Sequence, residues 1–125
     1  MILNSRSLEK LEGVHPDLVR VVKLAAHYTE HDFIITEGLR SIERQKILFA
    51  KGLSKTMNSR HITGHAVDFA PVVDGEITWK WPAFGPIAGV FKRAAAELKI
   101  PIEWGGEWKS FKDGPHIQLS RKQYP

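Results

Sequence analysis

A carboxylate in the middle of an otherwise apolar strand is the feature that most constrains this chain. The run AVDFA, from Ala66 to Ala70, predicts a strand in which Val67 and Phe69 point to one face and Asp68 points to the other. Burying an unpaired carboxylate costs several kcal/mol, so a cation is expected against Asp68 in the folded protein. That cation is either an arginine or lysine side chain or a bound metal ion.

Two histidines are placed where they could complete a metal site with Asp68. His61 lies in the loop that leads into the Asp68 strand, and His116 begins the last predicted strand. Two imidazoles and one carboxylate, with a fourth position left for water, form the ligand pattern of catalytic zinc sites. The same ligands also accept other borderline divalent metals. Asp113, at the chain reversal before His116, could reach that water without binding the metal.

Helical and extended segments alternate along the chain and predict an α+β domain with a small, mainly antiparallel sheet and flanking helices. The predicted helices are Pro16–Tyr28, a helix capped by Ser41 that ends at Gly52, and Pro86–Leu98. The predicted strands are Phe33–Thr36, Ala66–Ala70, a hairpin within Val72–Trp79 that turns at Asp74 and Gly75, Ile102–Trp104 and His116–Leu119. Neither a repeat nor a linker interrupts the 125 residues, so residues 1–125 are predicted to form one domain.

The composition excludes several classes of site. Cysteine is absent, which excludes a disulfide scaffold, a thiolate zinc site, an iron–sulfur centre and a thiol nucleophile. The zincin motif HExxH and the nucleophile elbow GxSxG are absent as well. Lys and Arg number 18 against 14 acidic residues, and the net charge of +4 favours an anionic partner such as a cell wall. Because the basic residues are scattered, nucleic acid is not the expected partner.

The sequence also bears on where the protein acts. Apolar runs stay well short of the roughly 20 residues that a membrane span needs, so stable membrane insertion is not expected. The N-terminus lacks the charged start and the long apolar stretch of a signal peptide. We therefore expect the protein to start in the cytoplasm and to leave it by another route.

Three motifs, in the expected order, resemble the signature of the LAS zinc peptidases, the family that includes the D-alanyl-D-alanine carboxypeptidases. The run SRHITGHAVD, from Ser59 to Asp68, is similar to the family motif SxHxxGxAxD. The run WGGEWKSFKDGPH, from Trp104 to His116, is most like the form WGGxWxxxxDxPH of the phage L-alanyl-D-glutamate endopeptidases. Upstream, the run from Gly38 to Gln45 resembles the family element GxRSxxxQ.

The resemblance implies a role for each matched residue. It implies that His61, Asp68 and His116 bind one zinc ion per chain and that Asp113 is the catalytic acid and base. It also implies that Arg40 contacts the substrate and stabilises the oxyanion. Further candidates for substrate binding are Ser59, Gln45, His65 and Trp108.

The sequence leaves the roles of two further residues undecided, one within the first motif and one just after the second. His65 could face the substrate, support a ligand or lie in a solvated loop. Gln118 or backbone carbonyls could orient the ligand imidazoles, because metal-bound histidines usually donate their other N–H to a fixed acceptor.

The resemblance implies a zinc-dependent endolysin that hydrolyses the L-alanyl-D-glutamate bond of peptidoglycan stem peptides and so lyses the host cell. We expect a monomer that stays in the host cytoplasm until a holin releases it to the periplasm and cell wall. The nearer alternative is a D-alanyl-D-alanine carboxypeptidase or dipeptidase on the same scaffold. A non-enzymatic, zinc-containing cell-wall binding module is the alternative of another class, and the joint presence of Asp113 and Arg40 argues against it.

Overall fold

The computed structural model describes residues 1–125 and contains four α-helices and five β-strands. The helices are α1 (Ser5–Lys10), α2 (Pro16–Tyr28), α3 (Ile42–Ala50) and α4 (Phe84–Leu98). The strands are β1 (Phe33–Glu37), β2 (Ala66–Val73), β3 (Glu76–Ile77), β4 (Ile102–Trp104) and β5 (His116–Leu119). None of the helices combines the length and the apolar character that crossing a membrane requires.

The strands form one antiparallel sheet in the order β1-β2-β5-β4, and β3 pairs with the end of β2. The predicted fold class, a small antiparallel sheet with flanking helices, is therefore confirmed. The register places Glu37 opposite Asp68 and Asp68 opposite His116, so these three residues form a row across β1, β2 and β5. Because directly paired residues share a face of the sheet, this row brings together side chains from three distant parts of the chain.

Side-chain alternation along the two central strands separates the core from the row of polar residues. Val67 and Phe69 of β2 and Ile117 and Leu119 of β5 have no solvent exposure. They join the apolar sides of α2 and α4 in a single hydrophobic cluster. Asp68 therefore points away from the core, as its position in the strand predicts.

The ends of α3 and α4 can be compared with the capping residues that the sequence predicts for them. The Ser41 Oγ accepts a hydrogen bond from the Arg44 N–H at 3.1 Å, which confirms the predicted cap of α3. Helix α4 begins at Phe84, two residues before the predicted Pro86, because a 3₁₀ turn at Trp81–Ala83 leads directly into it. Lys99, in the left-handed conformation, follows its last residue.

The hairpin and the first helix differ from the prediction. Strand β2 continues through Pro71 to Val73, because Pro71 lies where its carbonyl accepts the Thr78 N–H and its own nitrogen need not donate. The predicted turn is confirmed, since Asp74 and Gly75 have φ of 53° and 80°. Strand β3 is nevertheless only two residues long and ends well before Trp79. Helix α1, which we did not predict, is six residues long. The Asn4 side chain caps its N-terminus by accepting a hydrogen bond from the Ser7 N–H.

Candidate active site

His61, Asp68 and His116 meet at the row of polar residues on the sheet. The His61 Nε2 lies 3.1 Å from the Asp68 Oδ1, and the His116 Nδ1 lies 3.5 Å from the same oxygen. One ligand atom from each of the three residues lies within 4.8 Å of the other two. The three residues that sequence analysis proposed as metal ligands therefore share one small site.

The far side of each imidazole is held by a fixed hydrogen-bond acceptor. The His61 Nδ1 lies 2.9 Å from the Gly38 carbonyl oxygen, and the His116 Nε2 lies 2.8 Å from the Gln118 Oε1. In the neutral form of each ring the nitrogen that faces Gly38 or Gln118 carries the proton, so the opposite nitrogen has a lone pair that could bind a cation beside Asp68. Without a cation, the protonated form of each ring donates to Asp68 instead. Both kinds of acceptor considered for the imidazoles are present, a backbone carbonyl for one ring and Gln118 for the other.

This donor set fits a divalent cation. Two imidazole lone pairs and a carboxylate oxygen converge, and such a set needs a positive charge between its members. Burial alone would raise the pKa of Asp68, but its contacts with His116 and His61 outweigh that effect and hold the pKa below the ordinary carboxyl range. Asp68 is therefore ionised at neutral pH and available as a ligand.

The two explanations for Asp68 that the sequence left open are both represented in the structure. The Arg40 Nη2 lies 3.9 Å from the Asp68 Oδ2, close enough for charge attraction and too far for a hydrogen bond. The other oxygen, Oδ1, faces the two imidazoles. The arginine therefore neutralises one side of the carboxylate and leaves the other side for the metal site.

Asp113 stands beside the metal site without joining it. Its Oδ2 lies 3.8 Å from the His116 Nδ1, and its side chain is 44% exposed to solvent. Burial, followed by the negative charge of Asp68, raises the pKa of the Asp113 carboxyl above its ordinary value. A raised carboxyl pKa suits a group that takes up a proton and then returns it.

A glycine allows the loop of Asp113 to approach the sheet. A Cβ atom on Gly105 would lie 2.4 Å from the Asp113 carbonyl oxygen and 3.1 Å from the His116 Cβ. The Asp113 N–H donates to the Gly105 carbonyl at 2.9 Å, which ties the loop to the end of β4. The first glycine of the WGG run thus fixes the distance between the candidate acid/base and the metal site.

Arg40 is held in place by a residue to which sequence analysis assigned no role. Glu37 accepts two hydrogen bonds from Arg40, from Nε at 2.8 Å and from Nη2 at 2.7 Å, and a third from the Arg44 Nε at 3.0 Å. Burial tends to raise the pKa of Glu37, but the hydrogen bonds from both arginines lower it overall. The signal that could have identified Glu37 is an acidic residue at a strand end, three positions before a motif arginine.

Gln45 is a correction to the sequence-based assignment. It was predicted to bind substrate, but its side chain has no solvent exposure and does not line the cleft. Its Oε1 accepts from the Arg40 Nη1 at 2.8 Å, and its Nε2 donates to the Ser54 Oγ at 2.8 Å and to the Thr56 carbonyl at 2.6 Å. Gln45 therefore connects Arg40 to the loop after α3 and acts as a positioning residue.

Replacing Gln45 with alanine should destabilise the protein and impair its activity together. The change leaves a buried Arg40 N–H without its acceptor, at a cost of about 2 kcal/mol in unfolding free energy. Denaturant unfolding measures this loss, and Gln123→Ala, at an exposed position near the end of the chain, is the control. A rise in KM with unchanged stability would instead support direct contact between Gln45 and the substrate.

His65, whose role the sequence left open, lies outside the cleft. Its ring packs against the His15 ring, with 5.5 Å between the centroids, and its Nδ1 contacts the Thr63 Oγ1 at 2.6 Å. It does not line the cleft, because side chains three residues apart along an extended chain point to opposite faces and Asp68 occupies the cleft face. Contact between His65 and the substrate is therefore not supported.

The remaining candidates line one open cleft of about 590 Å³. Ser59 lies on its wall and accepts a hydrogen bond from the His61 N–H at 3.2 Å. Trp108 also lines the cleft, and its ring centroid lies 5.1 Å from that of His116. Trp79 and Trp81 are exposed but lie outside the cleft.

Comparison with known proteins agrees with this site. The family model described as phage L-alanyl-D-glutamate peptidase matches residues 1–121. The L-alanyl-D-glutamate peptidase of Escherichia phage T5 is 34% identical over 122 residues, covering 94% of this chain and 88% of the relative. The peptidoglycan L-alanyl-D-glutamate endopeptidase CwlK of Bacillus subtilis is 35% identical over 111 residues, covering 78% of this chain and 66% of the relative.

Two solved structures are similar to this one. The crystal structure of the L-Ala D-Glu endopeptidase ChiX of Serratia marcescens superposes with a TM-score of 0.92 at 51% identity, over 97% of this chain and 91% of that one. The vancomycin resistance D,D-dipeptidase VanXYg superposes with a TM-score of 0.54 at 16% identity, over 85% of this chain and 50% of that one. The second likeness concerns the fold alone.

Proposed function

The chain belongs to the phage L-alanyl-D-glutamate peptidase family, and on this premise we propose that it is a zinc-dependent endolysin. Its substrate is the amide bond between L-alanine and D-glutamate in peptidoglycan stem peptides. The observation that carries the proposal is the meeting of His61, Asp68 and His116 beside Asp113 in an open cleft. The family expected from the sequence motifs is confirmed, as is the expectation of a peptidase.

Zinc would be held by the His61 Nε2, the Asp68 carboxylate and the His116 Nδ1. When bound, it supplies Lewis acidity that lowers the pKa of water and polarises a carbonyl group. Gly38 and Gln118 keep the two imidazoles in the tautomers that this role requires.

Asp113 moves the proton in the reaction that we propose. Its carboxylate takes the proton of the attacking water and then delivers it to the nitrogen of the departing D-glutamyl residue. Its partial exposure leaves room for a substrate next to it, and its raised pKa makes the carboxylate a better acceptor for the proton of the attacking water.

Arg40 faces the charge that develops on the scissile carbonyl oxygen. A guanidinium has five N–H groups, of which Glu37 and Gln45 use three, so two remain for the substrate. Because Glu37 and Gln45 fix the arginine before the substrate arrives, little reorganisation is needed during the reaction.

Product analysis tests the proposed function directly. We expect the zinc-loaded protein to release peptides from purified peptidoglycan, with new L-alanine carboxyl termini and new D-glutamate amino termini detected by mass spectrometry. Removing the metal with a chelator should stop the reaction, and adding zinc should restore it.

Each alternative gives a different result in this experiment. Release of free D-alanine would indicate a carboxypeptidase, and binding to the wall without any new termini would indicate a binding module. Clearing of permeabilised cells tests the lytic role separately. The monomeric state, the release by a holin and the cytoplasmic start remain predictions.

A further inference from the structure

Two arginines at one end of the cleft lack an acidic partner. Arg60 and Arg121 both line the cleft, and neither lies within 4 Å of a carboxylate oxygen. Arg60 is only 7% exposed, and its Nε is buried without a hydrogen-bond partner. Its Nη2 donates to the Leu119 carbonyl at 3.2 Å and to the Tyr124 carbonyl at 2.5 Å. The hydrogen-bond acceptors of the Arg60 guanidinium are thus neutral carbonyl groups, and the acidic Glu103 attracts it only from beyond ion-pair distance.

The backbone contacts of Arg60 place it next to Arg121. Its two acceptors, Leu119 and Tyr124, flank Arg121 in the chain, and Arg121 itself is exposed with no hydrogen bond or ion pair from its side chain. Two neighbouring like charges, one of them largely removed from water, repel each other. We use 'catalytic cluster' for His61, Asp68, His116 and Asp113. An anion that binds between the two arginines and the catalytic cluster would offset this repulsion.

The rest of the cleft cannot provide that anion. Six arginine and lysine residues line it against three acidic residues. Asp68 and Asp113 belong to the catalytic cluster, and Glu37 is occupied by Arg40 and Arg44. The cleft therefore has an excess of positive charge, which an anionic group of the ligand would offset.

We propose that Arg121, supported by Arg60, forms an anion subsite that binds the free carboxylate of the glutamyl residue next to the scissile bond. This inference rests on the proposed function. A glutamyl residue has two carboxyl groups, and only one of them continues the peptide chain, so the other is always present a few bonds from the scissile nitrogen. The planar guanidinium of arginine matches a carboxylate in charge and in hydrogen-bond geometry.

A pair of substrates and a pair of variants test the subsite. The substrates are a stem peptide containing L-alanyl-D-glutamate and the same peptide with the free glutamyl carboxylate converted to a carboxamide. The variants are Arg121→Gln and the control Lys122→Gln, which makes the same charge change at the next residue, exposed and outside the cleft. Cleavage kinetics and thermal unfolding are measured for each protein.

We expect the amide to raise the KM of the wild type about tenfold, the scale of a lost charge-assisted hydrogen bond. Arg121→Gln should raise the KM about tenfold for the carboxylate substrate only, with kcat and melting temperature unchanged. Lys122→Gln should leave both substrates unaffected.

Two outcomes would overturn the subsite. In one, the wild type cleaves both peptides with equal KM; in the other, Arg121→Gln slows both substrates to the same extent. A wild-type protein that cleaves neither peptide would contradict the proposed function itself, which distinguishes the two failures.

Discussion

Asp113→Ala should reduce kcat/KM by about 10³-fold while the protein retains about one zinc ion per chain. The large effect follows from the place of Asp113, which lies next to the metal site without completing it. Under the proposed function, its removal takes away the group that accepts and returns the proton and leaves the three candidate ligand atoms in position. Peptide cleavage kinetics and elemental analysis of the same preparation measure the two quantities.

A matched control separates proton transfer from general charge effects. Glu107→Ala removes an exposed carboxylate a few residues before Asp113, one that pairs with Lys92 and does not line the cleft. We expect it to leave activity within about twofold of the wild type, as is usual for surface substitutions. If Asp113→Ala lost its zinc as well as its activity, Asp113 would be a ligand and the assigned role would be wrong.

Two of the three candidate metal ligands, Asp68 and His116, have a local signal in the sequence. Asp68 interrupts an apolar strand, and His116 begins a strand whose next residue belongs to the core. Alternation alone then puts both side chains on the face opposite the core. What alternation cannot provide is the pairing of β2 with β5, the long-range contact that sets Asp68 against His116.

The arginine network cannot be read from the sequence in the same way. Gln45 and Arg40 belong to one motif, but a motif does not say which of its members faces the cleft and which one is buried behind it. Glu37 accepts hydrogen bonds from Arg40 only because β1 ends at that point and the chain turns back. Such details depend on tertiary contacts between distant residues, and these are a property of the whole fold.

The row of Glu37, Asp68 and His116 alternates in charge with the groups around it. Asp68 is placed between an arginine on one oxygen and two imidazoles on the other. Glu37 in turn forms an ion pair with Arg40, so the guanidinium is held in position before any metal ion binds. The sheet register thus sets Asp68 against Glu37 and His116, while loops contribute His61, Arg40 and Asp113.

His116→Ala should abolish both metal binding and peptide cleavage. The loss of a residue that only orients a metal ligand typically weakens affinity by about 10- to 100-fold, so loss of a ligand atom should cost more than about 100-fold. Zinc titration with a competing chelator measures the affinity, and circular dichroism tests whether the fold is retained. His61→Ala should behave in the same way, because the His61 Nε2 contacts the same carboxylate oxygen.

His65→Ala is the matched control for this prediction, because His65 lies close to the site in sequence and outside the cleft. It should keep its zinc and its activity, since its ring contacts only His15 and Thr63. If His116→Ala were folded and retained zinc at wild-type affinity, the three-ligand site would be wrong, and with it the zinc-dependent step of the proposed reaction. Because His61 and His116 converge on one oxygen, a true site cannot lose either imidazole and still hold the ion in a catalytically competent position.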